Sequence, residues 1–200
     1  MKKKIVITGG LGYIGTELCK LYSGVSWHHK IIVIDNRFIS ERVNQIRNWN
    51  MEFVHGDILD KDLIVKYFKD ADVVHHLAGI TDVPRTKGES TNERDNKIKL
   101  VGEKGTQNIL DVVSDKCKII FPSTHVIYEG IDNVKNDIKE NETPEPVLSY
   151  STSKANNEKQ LKESGKNYVI LRLGSVYGYS LDTTRIDIMP NLFSKISSQN

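Results

Sequence analysis

The sequence predicts an α/β fold, a doubly wound parallel sheet with helices on both faces, on three observations. Short β-branched runs alternate with longer stretches of helical spacing. The runs are continuously apolar, as in strands covered on both faces, and such strands pair in parallel through right-handed crossovers. The first run passes directly into a glycine-rich turn and then a helix-like segment.

Taken in order, the first strand is Ile5–Ile7 and the helix after its turn is Thr16–Tyr22. Further strands are expected at Ile31–Ile34, Met51–Val54, Val73–Leu77, Lys118–Phe121 and Val169–Leu173. Leu63, Tyr67 and Phe68 have helical spacing, as do Ile98, Val101, Ile109, Leu110 and Val113. Another helix opens at Tyr150 and continues through Glu158 and Leu161. Two polar segments, Thr81–Asp95 and Glu129–Pro146, each follow a strand. They read as solvated loops or as walls of the crevice that open α/β sheets form beyond the carboxyl ends of their strands.

Composition bounds the rest. A chain of 200 residues fits one domain, or one with a small extension, and buries roughly 70% of its unfolded surface without needing staples. Hydrophobic residues at 38% and charged residues at 27% exclude a disordered chain. Twenty-eight basic against 26 acidic side chains, net +2, give no electrostatic case for a nucleic-acid partner. Cys19 and Cys117 form no CxxC or Cys/His cluster, so no metal and no disulfide framework is expected, and a reduced, cytoplasmic setting follows. The opening MKKKIVITGG imitates a signal peptide, but Thr8-Gly9-Gly10 cuts its apolar run. No run approaches the ~20 apolar residues that span a bilayer, so a soluble protein with no membrane partner is expected.

The turn is Thr8-Gly9-Gly10-Leu11-Gly12-Tyr13-Ile14-Gly15. In a Rossmann-type unit Gly9 permits the tight turn, Gly12 lets a pyrophosphate approach the backbone, and Gly15 lets helix and strand pack closely. Free N–H groups and the helix dipole then favour phosphates. Asp35 ends the second strand 20 residues past Gly15, where a carboxylate accepts the adenosine ribose hydroxyls and favours NAD. Arg37 keeps NADP open, since an arginine there holds a 2′-phosphate, and the bland role for Asp35 is a turn or cap.

Tyr150 and Lys154 stand one helical turn apart in Tyr150-Ser151-Thr152-Ser153-Lys154. A phenol with a pKa of about 10 is a poor base, and lowering it by three units takes about 4 kcal/mol of phenolate stabilisation. An adjacent ammonium and an oxidised nicotinamide supply positive charge for that. Thr124, after the strand containing Phe121, offers a hydroxyl to the substrate oxygen on which Tyr150 acts.

These residues resemble the extended short-chain dehydrogenase/reductases of the NAD-dependent epimerase/dehydratase group. The motifs match in order from Ile5 to about Gly178: TGGLGYIG, Asp35, Gly56-Asp57-Ile58, His76-Leu77-Ala78-Gly79, Ser123-Thr124 with Tyr128, Tyr150 with Lys154, and Leu171-Arg172-Leu173-Gly174-Ser175-Val176-Tyr177-Gly178. The resemblance implies that Thr124, Tyr150 and Lys154 are catalytic, with Tyr150 the acid/base and Lys154 also on the nicotinamide ribose. It places Asp57 and Ile58 beside the adenine, and Leu77, Ala78 and Gly79 along the cofactor's inner half. Val176 borders nicotinamide and substrate, and Tyr13, Ile14 and Asn36 join Gly9, Gly12, Gly15 and Asp35 as cofactor-binding positions. His76 reads as structural. Relatives often dimerise through helices around Asn96–Ser114 and Ser149–Ser164, so a homodimer is expected.

Four departures bear on the substrate. Gly102 and Ser175 stand where relatives commonly carry asparagine, and Tyr128 is followed by Glu129 before Gly130. Relatives also carry a smaller C-terminal substrate domain. Residues 1–178 are therefore expected to form the cofactor domain and 179–200 to begin a substrate region that is largely missing, the alternative being a short relative that closes its site by oligomerising. Dehydratases resemble one another in an Asp-Glu after the threonine, and here His125-Val126 disfavours water elimination. The expected function is an NAD-dependent nucleotide-sugar epimerase. The alternatives are a nucleotide-sugar or other carbonyl reductase of the same family, and a non-catalytic dinucleotide sensor.

Overall fold

The computed structural model describes residues 2–81, 86–180, 185 and 188–199. Six strands, β1 (Lys4–Thr8), β2 (Lys30–Asp35), β3 (Glu52–His55), β4 (Val73–His76), β5 (Lys118–Thr124) and β6 (Asn167–Leu173), form one sheet in the order β3-β2-β1-β4-β5-β6. Every pairing is parallel. The order reverses between β1 and β4, which makes the switch point where ligands of such sheets bind.

Among the described residues, seven α-helices connect and flank the strands: α1 (Tyr13–Ser23), α2 (Ser40–Asn48), α3 (Lys61–Phe68), α4 (Asn92–Lys99), α5 (Gly105–Leu110), α6 (Ser149–Glu163) and α7 (Met189–Ser197). Strand residues alternate between two cores, as the two-residue period of a strand requires. Val6, Ile32, Ile34, Val74, Ile119 and Phe121 pack with Ile64 and Phe68 of α3, Ile109 and Leu110 of α5 and Leu161 of α6. Ile5, Ile7, Ile31 and Val33 pack with Cys19 of α1 and Val43 and Ile46 of α2. Both faces are covered where the strands are continuously apolar, while β3 and β6, at the edges, are only partly buried.

Three boundaries differ from the sequence reading for physical reasons. The strand expected to stop at Phe121 runs on through Pro122 to Thr124. Its pairing with β4 ends at Ile120, so Pro122 faces only β6 and its missing N–H breaks no ladder on the other side. The helix expected across Ile98–Val113 is interrupted by a π-turn at Leu100–Lys104, a wide turn that inserts a residue. Helix α1 starts at Tyr13, three residues before the expected Thr16, because Gly12 serves as its N-cap. The polar segment Thr81–Asp95 holds a short 3₁₀ turn, Lys87–Glu89, and the start of α4; residues 82–85 lie outside the described residues. Helix α7 buries none of its residues.

Candidate active site

The glycine turn has the geometry that its spacing implies. Gly9 has φ +67, and a Cβ there would stand 2.8 Å from Ala78 N. Only glycine fits this left-handed position with the end of β4 against it. A Cβ on Gly15 would stand 2.3 Å from Gly9 O, so the first turn of α1 rests directly on the loop. Gly12 caps α1 without a side-chain hydrogen bond, leaving the first-turn N–H groups for a ligand. The turn is tied down by Gly9 N donating to Ile34 O at 2.8 Å and Gly12 N to Gly9 O at 3.0 Å. Such an uncapped, side-chain-free helix end at the switch point suits a dinucleotide pyrophosphate.

At the adenosine end, Asp35 is buried at 5% exposure. Its carboxylate accepts from Leu11 N at 2.9 Å, Arg37 N at 3.0 Å and Arg37 Nε at 3.2 Å. Asp35 thus holds the glycine loop and Arg37 together, a structural role beside the expected ribose role. Asn36 donates to Asp57 Oδ2 at 3.0 Å, and Asp57 Oδ1 accepts from Leu59 N at 2.9 Å, giving a polar rim after β2 and β3. Ile58 points into the core against Gly105, so an adenine can meet only its backbone. On the inner half, Ala78 N donates to Thr8 Oγ1 at 3.1 Å, and nothing lies within 4 Å of a Cβ built on Gly79. Ile14 and Val176 are exposed. Tyr13 donates its hydroxyl to Gly178 O, and Asn191 Oδ1 accepts from Gly178 N at 2.8 Å, so the segment after β6 is bound to the start of α1.

Helix α6 lays Tyr150 and Lys154 along the end of β5. Lys154 Nζ donates to Pro122 O at 2.8 Å, lies 4.4 Å from the centre of the Phe121 ring and stands 5.9 Å from that of Tyr150. Burial pushes the ammonium down to about 8. Burial also raises the Tyr150 phenol, against a lowering by the Arg185 guanidinium. Thr124, the last residue of β5, is buried and its Oγ1 accepts from Val126 N at 3.3 Å. His125 is exposed, with Nδ1 3.2 Å from Leu173 O.

Sequence reasoning missed two buried polar assemblies. Glu158, one turn beyond Lys154, accepts from Ser123 Oγ at 2.6 Å and from Arg172 Nε and Nη2 at 2.9 and 2.7 Å. Arg172 also donates to Tyr128 Oη and to Glu140 O. The i, i+4 relation of Glu158 to Lys154 was visible in the sequence, but its strand partner was not. The second assembly centres on His76, fully enclosed and pushed down to about 3 by burial and by Lys154. Thr8 Oγ1 accepts from Ala78 N, so its proton faces His76 Nδ1 at 3.1 Å. The neutral ring then donates from Nε2 to Thr106 Oγ1 at 3.0 Å, which also accepts from Asn157 Nδ2 at 3.1 Å. These bonds give His76 a structural place, as the family resemblance implied.

Comparison with known proteins gives the family of the chain. The profile of the NAD dependent epimerase/dehydratase family matches residues 5–199. The chain belongs to this family. Among curated members, it is 33% identical over 186 residues to a putative UDP-glucose 4-epimerase of Methanocaldococcus jannaschii, covering 89% of this chain and 57% of that protein. It is 29% identical to the dTDP-D-glucose 4,6-dehydratase of Dictyostelium discoideum, covering 88% of this chain and 44% of that one. Among solved structures, a mutant UDP-glucuronic acid 4-epimerase from Bacillus cereus, in complex with UDP-4-deoxy-4-fluoro-glucuronic acid and NAD, superposes with a TM-score of 0.80. Identity is 26%, covering 98% of this chain and 64% of that one. The chain therefore spans about half the length of these curated family members.

Proposed function

We propose that this chain binds NAD over its glycine turn and epimerises a nucleotide sugar by reversible hydride transfer at a sugar carbinol. The observation that carries the reading is the half-buried Lys154, its ammonium fixed on Pro122 O and beside Tyr150 at the carboxyl end of β5. When bound, NAD would supply the acceptor and donor of hydride for the sugar carbon. Tyr150 Oη holds the carbinol proton meanwhile, and Thr124 Oγ1 hydrogen-bonds the same oxygen and stabilises its developing charge. Because burial raises the phenol, its ionisation depends on positive charge gathered around it, from Lys154, Arg185 and the oxidised ring. Gly12 and the first N–H groups of α1 hold the pyrophosphate, while Asp35, Asn36 and Asp57 frame the adenosine. Asp35 favours NAD, and by binding Arg37 Nε at 3.2 Å it occupies that guanidinium with its own carboxylate.

Epimerisation is preferred to dehydration because His125 and Val126 follow Thr124, offering no carboxylates there. Two free, buried cysteines suit a reducing cytoplasm. Among the described residues no helix is long and apolar enough to cross a membrane. A homodimer would use the outer face of α4, α5 and α6, where Leu100 is exposed beside Glu103, Gln107 and Gln160.

The test pairs calorimetric titration of NAD+ and NADP+ with absorbance near 340 nm during exposure to UDP-, GDP- and dTDP-sugars. The expected result is tight NAD+ binding and transient reduction with one sugar. Tyr150→Phe keeps the affinity and abolishes the signal. Net accumulation of reduced cofactor would make the protein a dehydrogenase, and tight binding with a silent panel would make it a sensor. Absence of NAD+ binding refutes the reading altogether.

A further inference from the structure

Leu148 stands at the N-cap of α6, the helix that carries Tyr150, and has no side-chain acceptor to offer. The acceptor comes from 19 residues upstream. Glu129 Oε1 accepts from Leu148 N at 2.7 Å, from Val147 N at 2.8 Å and from the Ser151 hydroxyl. Its charge sits at the positive end of the helix dipole, where a carboxylate is stabilised. These bonds hold its titration below the usual glutamate range against the opposing effect of burial.

The arm that brings Glu129 there is equally specific. Thr124 ends β5, and the chain turns at once into a 3₁₀ segment, His125–Tyr128. Glu145 N donates to Ile127 O and Gly130 N to Glu145 O, both at 2.8 Å, closing the loop at its neck. A Cβ on Gly130 would stand 2.5 Å from Glu145 O, so this closure needs glycine after Glu129. Tyr128 is held by Arg172, which is held in turn by Glu158 on α6. The six residues from Thr124 to Glu129 are thus fastened to α6 at its first turn and again at its third.

We infer that Glu129 is a positioning residue. By capping α6 from the arm that begins at Thr124, it fixes the Tyr150 hydroxyl relative to the Thr124 hydroxyl. This rests on the assignment of Tyr150 and Thr124 under Proposed function, but goes beyond it to a residue whose bonds run to the start of α6. It also gives a purpose to the residue inserted between Tyr128 and the loop glycine.

The experiment compares Glu129→Ala, Glu129→Gln and Ser151→Ala with the native protein by two readouts that need no sugar. Amide hydrogen exchange at Val147, Leu148 and Tyr150 reports the cap. The phenol titration of Tyr150, isolated at 295 nm as the difference from the Tyr150→Phe background, reports its placement. Burial raises that titration and Arg185 lowers it, and Glu129→Gln, which removes the charge while keeping the acceptor, separates an effect of charge from movement of the ring. Glu129→Ala is expected to speed exchange about tenfold or more at these amides and leave Leu161 unchanged. It should also bring the phenol down toward its unburied value. Glu129→Gln keeps the acceptor oxygen and loses the charge, so it should stay close to native in both readouts.

Faster exchange with an unmoved phenol would make Glu129 a cap only and overturn the inference, as would a glutamine variant that shifts the phenol as far as alanine does. Should Glu129→Ala fail to fold, Ser151→Ala decides alone: a smaller shift in the same sense supports the role, and none refutes it. NAD+ affinity, measured in parallel on the native chain, tests the functional reading separately. Its absence would defeat that reading while both readouts at Glu129 stood.

Discussion

The buried charge of Lys154 carries an energetic cost that can be measured. Burial moves its ammonium from 10.5 to about 8. At neutral pH the folded protein therefore carries a charged group that it stabilises less well than water does, at a penalty of about 3 kcal/mol. The sign follows from the proton balance. Between about 8 and 10.5 the unfolded chain holds a proton on Lys154 that the folded chain has released, so stability rises with pH through that range. Cys19 and Cys117, raised to about 12 and about 11, oppose this above pH 9. The clean quantity is thus the difference between native protein and Lys154→Met, in which the thiols cancel. From pH 7 to pH 9 the native protein should gain about 1 kcal/mol on the variant. Urea unfolding at pH 7, 8 and 9 measures it, and Lys154→Met should also show no sugar-dependent reduction. A stability difference that does not change with pH would refute the premise that this ammonium is held at an energetic disadvantage.

Two further outcomes follow from contacts on either side of the site. A Cβ on Gly102 would meet Ser153 Oγ at 2.3 Å but Ser153 Cβ only at 3.6 Å. Gly102→Ala should therefore cost about 1–2 kcal/mol in urea unfolding and become nearly neutral in a Ser153→Ala background; equal costs in both backgrounds would disprove the contact. Asp35→Ala releases both the glycine loop and Arg37, so NAD+ affinity by calorimetry should fall about tenfold or more while NADP+ falls less. A greater loss for NADP+ would reverse the proposed cofactor preference.

The parts of this molecule readable from sequence are those governed by local rules. Continuous apolar runs announced the doubly covered strands, and glycine spacing announced a turn whose φ at Gly9 and packing at Gly15 require glycine. Tyr150 and Lys154 could be paired because a helix turn fixes their separation. What escaped depends on residues distant along the chain. Pro122 reads as a strand terminator until it is known that β4 no longer pairs there. Nothing in α6 reveals that its cap is Glu129, or that Glu158 meets Arg172 on β6. Asp35 carried a ligand role in the sequence, yet its bonds to Leu11 and Arg37 depend on where the glycine loop folds back. The π-turn at Leu100–Lys104 left no periodic trace because Ile98 and Ile109, on either side of it, both remain buried.

These long-range ties explain how the fold accommodates a destabilising ammonium. Helix α6 has only weakly segregated apolar and polar faces, and among its buried side chains Leu161 is the one aliphatic residue. Apolar packing alone would hold it loosely. Instead Glu129 fastens its first turn, Asn157 Nδ2 reaches Gly102 O at the π-turn at 3.1 Å, and Glu158 reaches β5 and β6 through Ser123 and Arg172. A buried charge-assisted pair such as Glu158–Arg172 is a weak source of net stability, but breaking it is costly. Its value here is directional, since bonds of fixed geometry define the rotation and height of the helix where aliphatic contacts would tolerate slippage. Lys154 can be kept charged and dry only if its helix cannot roll to return the ammonium to water. The polar fastenings of α6 are thus the counterpart of the chemistry proposed for it: they hold in place a group that would lower the energy of the fold by leaving.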